Sequence, residues 1–182
     1  MHQKTNMMDR LKTACLNVLA AGVIMFSFSY PAAAADRQYK IESAYLYSFF
    51  NYITWPGYDS PQKLKDPVIC IAGNDPILPY LDYIRNKMAG ERTLTIRAAG
   101  DDGAFAGCHI LFVRHRIPSR LLSGVPNDTL IVLKPDDPLD RGGMIELTED
   151  GERISININQ PLIEGRGFLV SSRLLDLARE VK

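Results

Sequence analysis

Three short apolar runs limit what this chain can fold into: Pro67–Ala72 (PVICIA), His109–Val113 (HILFV) and Thr129–Leu133 (TLIVL). Each is brief, continuous and rich in β-branched residues. A strand of that composition has no face for water, so it belongs inside a sheet covered on both sides. A fourth run, Thr93–Arg97 (TLTIR), supplies another strand.

Helical patterns separate these runs. Between Arg37 and Ile53 apolar residues recur at Ile41, Ala44, Tyr45, Leu46, Tyr47, Phe49, Phe50 and Ile53, a wide apolar surface that Pro56-Gly57 ends. Asp75 is placed to cap a helix over Ile77–Met88 with Pro76 at its first position, and Gly90 stops it. Ile117–Leu122 reads as a short helix, with Ser119 near its start. The pattern then changes. Met144–Leu147 and Arg153–Ile158 flank Glu149-Asp150-Gly151-Glu152, and Asp-Gly between strand-like runs signals a hairpin. Ile154, Ile156 and Ile158 alternate with Ser155, Asn157 and Asn159, which leaves one face apolar. A short helix near Gln160–Glu164 follows. A last helix, capped by Ser171 or Ser172, carries Leu174, Leu175, Leu177 and Ala178 as its apolar stripe. The expected fold is α/β: a three-layer single domain with a mixed β-sheet flanked by helices and an antiparallel hairpin near the C-terminal third.

The N-terminus has a different grammar. Lys4, Arg10 and Lys12 make it positive against Asp9 alone, Leu16–Phe28 is an apolar run of about 13 residues, and Pro31 precedes the small residues Ala32–Ala35. That order is a secretory signal peptide over residues 1–35, with Ala33 and Ala35 where the peptidase reads and the cut between Ala35 and Asp36. The run is shorter than the roughly 20 residues of a membrane-spanning helix. The competing anchor reading is therefore weaker, and Cys15 lies on the wrong side of the run for a lipoprotein. The remaining stretch, 36–182, is the size of one domain with a core of its own.

The chain holds 21 basic and 21 acidic residues; without the signal its net charge is about −2. It has no basic stripe with interleaved aromatics, so no nucleic-acid partner is expected. Cys70 and Cys108 remain after cleavage. In an oxidising compartment they most simply form a disulfide, the alternative being two buried thiols.

The usual catalytic signatures do not assemble. His109 and His115 are too few and too separated for a zinc site, and no metal or cofactor is expected. There is no nucleophile elbow. Ile71-Ala72-Gly73-Asn74-Asp75-Pro76 follows a strand but lacks the glycine spacing and the lysine of a phosphate loop. Asp136, Asp137 and Asp140 do not have calcium-loop spacing and read as a solvated turn. Trp55 before Pro56 is either an exposed anchor for a partner or a core residue closing the helix end, with the core reading favoured. The residues thus point to a binding or regulatory module rather than an enzyme.

Several segments resemble one family. Ala44-Tyr45-Leu46-Tyr47 with Phe49 and Trp55-Pro56 resembles the opening helix of the YfiR family. Cys70-Ile71-Ala72-Gly73-Asn74-Asp75-Pro76 and Cys108-His109-Ile110-Leu111-Phe112 are similar to its first strand and turn and to a later strand. Gly142-Gly143-Met144-Ile145, Ile156-Asn157-Ile158-Asn159 and Ser171-Ser172-Arg173-Leu174-Leu175 follow in the family's order. The resemblance implies a periplasmic regulator that binds the periplasmic sensor part of an inner-membrane diguanylate cyclase and represses it. It also implies capture by an OmpA-like outer-membrane lipoprotein, which releases the cyclase, and the capacity to form a homodimer. Cys70 and Cys108 match one family disulfide. The family's second pair has no counterpart here, since Met144–Ile158 contains no cysteine. Relatives that serve other envelope systems leave a second reading: a periplasmic small-molecule binder with its ligand at the strand ends.

Overall fold

The computed structural model of the protein describes residues 31–87, 93–99, 104–114, 122–134, 143–150 and 153–182. The chain divides into two units, Met1–Ala34 and Ala35–Lys182. The signal-like run Leu16–Phe28, the expected helix up to Leu121, His115 and the acidic loop of Asp136, Asp137 and Asp140 lie outside the described residues.

Helix α1 (Pro31–Tyr52) runs into the two-residue strand β1 (Ile53–Thr54). Strand β2 (Val68–Ala72) leads through a turn to α2 (Leu78–Lys87), then to β3 (Thr95–Ala99), β4 (Ile110–Val113) and β5 (Leu130–Leu133). The hairpin is β6 (Ile145–Asp150) with β7 (Arg153–Ile158). It is followed by α3 (Gln160–Gly165), β8 (Leu169–Val170), α4 (Ser172–Leu177) and β9 (Glu180–Val181). The seven-stranded sheet has the order β3-β2-β4-β5-β6-β7-β9, and β1 with β8 forms a separate antiparallel pair. Strands β3 to β6 are mutually parallel, β6 and β7 are antiparallel, and β9 lies parallel to β7. The mixed α/β architecture and the C-terminal hairpin are therefore those expected.

Strand alternation divides the core in two. Ile69 and Ile71, Ile110 and Phe112, and Leu130 and Val132 face a large apolar layer. Leu46, Phe49 and Phe50 of α1, Leu81 of α2, Ile163 of α3 and Leu174 of α4 join that layer. The intervening residues Cys70, Ala72, Leu111, Val113, Ile131 and Leu133 point the other way. There they pack with Phe105, Cys108, Leu122 and Val125.

Local details depart from expectation in instructive places. Strand β3 sits two residues later than Thr93–Arg97, because Val68 of β2 pairs with Thr95 and the register follows the neighbour. Asp150 belongs to the ladder, opposite Arg153. Leu177, expected in the apolar stripe of the last helix, is 65% exposed. Helix α4 has ended at Leu177, and Ala178 is already extended. Ser171 is the cap of that helix, accepting from the Leu174 N–H. The pairs β1–β8 and β7–β9 involve two residues each, too short to leave a periodic signature.

Trp55, considered above as a partner anchor, is only 2% exposed. Its indole lies 5.0 Å from the Phe50 ring and edge-on to Phe168 at 5.7 Å. Its Nε1–H donates to the His109 backbone oxygen at 3.2 Å. A ring enclosed in this way closes the core beyond α1 and has no free face for another molecule.

Candidate functional site

Going from β2, the chain crosses to β3 on one side of the sheet and then returns to lay β4 on the other. Strand direction stays the same, so the crevice beyond the C-terminal ends of β2 and β4 is the switch point at which open α/β sheets take ligands. In this protein that crevice holds a buried cluster of charge.

Strand periodicity delivers three of its members. Arg114 continues the Ile110–Phe112 side of β4, Lys134 continues the Leu130–Val132 side of β5, and Glu149 lies on the Ile145–Leu147 side of β6. All three therefore face α1. Asp75 comes from the turn after β2, where its Oδ1 accepts from the Ile77 N–H at 2.8 Å. Its other oxygen, Oδ2, takes the Arg114 Nε–H at 2.8 Å, so one carboxylate caps the turn and holds the arginine. The fifth member is Glu42 of α1, fully buried four residues before Leu46 on the same stripe.

Glu42 is the hub. Both of its oxygens meet the Arg114 guanidinium, and Oε1 also takes Lys134 Nζ at 2.6 Å. Lys134, itself 4% exposed, reaches Glu149 at 2.7 Å. Gln38, one turn earlier in α1, donates to both Glu42 and Glu149. The Arg114 guanidinium lies between aromatic faces, 4.9 Å from the Tyr39 ring centre and 5.2 Å from that of Phe112. Such stacking suits a weakly hydrated planar cation. Tyr80 of α2 lies 5.5 Å from Tyr39 and donates through its hydroxyl to Asp36 at 2.9 Å.

The electrostatics follow from the geometry. Burial pushes the Glu42 carboxyl upward in pKa, but hydrogen bonds from Arg114, Lys134 and Gln38 outweigh it and hold the group below its ordinary 4.5. Burial likewise opposes the charge on Arg114, and Glu42 and Asp75 more than restore it. Both groups are therefore ionised at neutral pH, and the desolvation each suffers is offset by the other.

The opposite face of the sheet carries the cysteines. Cys70 and Cys108 are bonded, with their Cα atoms 5.7 Å apart. Arg97 of β3 lies over the bond, its Nη2 at 2.9 Å from Cys108 Sγ and 3.3 Å from Cys70 Sγ, and the same nitrogen donates to the Ala106 oxygen at 2.6 Å. His109 is half-buried, and its Nδ1 accepts from the Val68 N–H at 3.1 Å. Among the described residues, no three His, Cys, Asp or Glu side chains come together as metal ligands would, and no helix is long and apolar enough to cross a membrane.

Of the residues singled out from sequence, the structure joins Cys70 to Cys108 and places Trp55 in the core. The charged cluster was not singled out. Its signal was a basic residue ending each of two buried strands in phase with the helix-facing positions, and one acid in the apolar stripe of the first helix. No single motif encodes it.

Comparison with curated proteins gives no match. A family model described as YfiR/HmsC-like matches residues 39–179, which takes in the greater part of α1 and every element from β1 to α4, together with both cysteines and the charged cluster. On that match, the chain belongs to the YfiR/HmsC-like family.

Proposed function

We propose that this protein is a periplasmic regulator that binds the sensor part of an inner-membrane diguanylate cyclase and represses it, restraining cyclic di-GMP and biofilm formation. The observation that carries the reading is the family match over 39–179. The signal-like N-terminus, with cleavage between Ala35 and Asp36, supports export. The Cys70–Cys108 bond suits an oxidising compartment. An OmpA-like outer-membrane lipoprotein that captured the regulator would relieve the cyclase, and the capacity to form a homodimer belongs to the same proposal.

The test is a pull-down from solubilised membranes with the tagged mature protein, paired with cyclic di-GMP measurement in a deletion strain. Recovery of a cyclase and a rise in cyclic di-GMP on deletion are expected. Recovery of no cyclase or other membrane sensor, with cyclic di-GMP unchanged, would sink the proposal.

A further inference from the structure

The two cations at the switch point, Arg114 and Lys134, both address one carboxylate. They come from adjacent parallel strands, and each is positioned by a second acid: Arg114 by Asp75, Lys134 by Glu149. The guanidinium lies over the rings of Tyr39 and Phe112. That is the construction of an anion site: two converging cations, each fixed from behind. What fills it is Glu42, a residue of the chain's own first helix.

Helix α1 holds Glu42 in the seat. Its second half is fixed by core packing, with Leu46, Phe49 and Phe50 fully buried. Its first turns add polar contacts, Asp36 to Tyr80, Gln38 to Glu149 and Glu42 itself, to the packing of Tyr39 and Ile41 against the core. We propose that Arg114 and Lys134 form a carboxylate seat at the switch point, that Glu42 occupies it from within the chain, and that a small monocarboxylate takes the seat when the Glu42 carboxylate is removed from it. Charge selects the ligand class. Glu42, Asp75 and Glu149 against Arg114 and Lys134 leave one net negative charge, and replacing Glu42 by a monocarboxylate keeps that balance, whereas a phosphate dianion adds to it. The inference stands independently of the cyclase as partner.

The experiment empties the seat and refills it. Thermal unfolding of the mature wild type, Glu42→Ala, Glu42→Gln and the double variant Glu42→Ala/Arg114→Met is followed in sodium formate or acetate and in sodium chloride at matched ionic strength. Formate and acetate are expected to raise the midpoint of Glu42→Ala by roughly 3 °C or more beyond chloride. The wild type, whose seat is filled, Glu42→Gln, whose amide fills it, and the double variant, which lacks the arginine, are expected to show no such difference. Where Glu42→Ala is unfolded in plain buffer, refolding yield in formate against chloride gives the same readout, with recovery expected in formate alone. Equal effects of formate and chloride on Glu42→Ala, an equal formate gain in the wild type or the double variant, or no recovery in either salt would overturn the seat.

Discussion

The Trp55 indole donates to the same backbone oxygen of His109 that receives the Leu130 N–H, so one carbonyl ties the end of the first helix to the start of two central strands. Removing the ring should therefore cost far more than removing its hydrogen bond. Trp55→Ala is expected to lose about 3–5 kcal/mol from the cavity it opens. Trp55→Phe should lose about 1 kcal/mol beyond the change in packing, since the His109 oxygen keeps Leu130 as a donor. Urea unfolding of the two variants measures the difference. A Trp55→Ala protein of wild-type stability that no longer binds its partner would restore the anchor role.

His109 predicts a pH effect. Its Nδ1 is occupied as an acceptor, and burial holds its pKa below the ordinary 6.5, with the charge of Asp128 opposing in part. The unfolded chain therefore takes up the proton first as pH falls. Stability from this residue is complete above about pH 6.5 and declines as pH drops through the lower folded value. His109→Asn, which keeps an acceptor for the Val68 N–H, should flatten that part of the curve. Melting temperatures between about pH 7.5 and 5.5 test it, and identical slopes for the two proteins would refute the assignment.

Glu42 acts at lower pH with the same sign. Its folded pKa lies below 4.5, so its contribution is present above that value and is lost as acid protonates the folded carboxyl. Glu42→Gln leaves two buried cations without their shared anion, and a loss of about 3–5 kcal/mol at neutral pH is expected. Chemical denaturation at pH 7 checks the magnitude. A loss below about 1 kcal/mol would mean that the cluster is more hydrated than its burial implies.

The disulfide spans 38 residues of sequence. In the chain-entropy model, closing a loop of that length is worth about 4 kcal/mol. Cys70→Ser should therefore unfold at lower denaturant and give a lower export yield, while leaving the α1 face and its charged cluster in place. Mass spectrometry of periplasmic material under non-reducing conditions reports the bond directly, and two free thiols would count against it.

The proposed export gives the simplest measurement. The intact mass of the protein recovered from periplasm should correspond to a chain beginning at Asp36. A mass beginning at Met1 would leave the first helix attached to its apolar leader and remove the basis for a freely diffusing regulator.

The parts of the fold written as periodicity were readable. The apolar runs at Ile69–Ala72, Ile110–Val113 and Leu130–Leu133 are central strands, and the alternation through Ile154, Ile156 and Ile158 marks the hairpin's buried face. Positions set by a neighbour were not. Strand β3 takes its register from β2, and the strands β1, β8 and β9 exist because a partner backbone lies alongside. The charged cluster was least legible because its members lie far apart in sequence and each looks ordinary by itself. Arg114 and Lys134 read as polar residues ending strands, and Glu42 as one acid in a helix. Only the parallel register of β4, β5 and β6 brings them to a common edge beneath α1.

The first helix is pinned to segments made last. Gln38 meets Glu149 across 111 residues, Tyr45 reaches the Ile154 oxygen, and the Ser171 N–H donates to Tyr52. Synthesis delivers α1 long before any of these partners exists, so sequence-distant closure must come late in folding. Until the hairpin emerges, the apolar stripe of α1 has only part of its counterpart. A chain built in this order cannot complete its core until the C-terminal segment has been made. It locks from both ends only then, and for the exported regulator proposed above that order would keep the chain unlocked until its last segment is free.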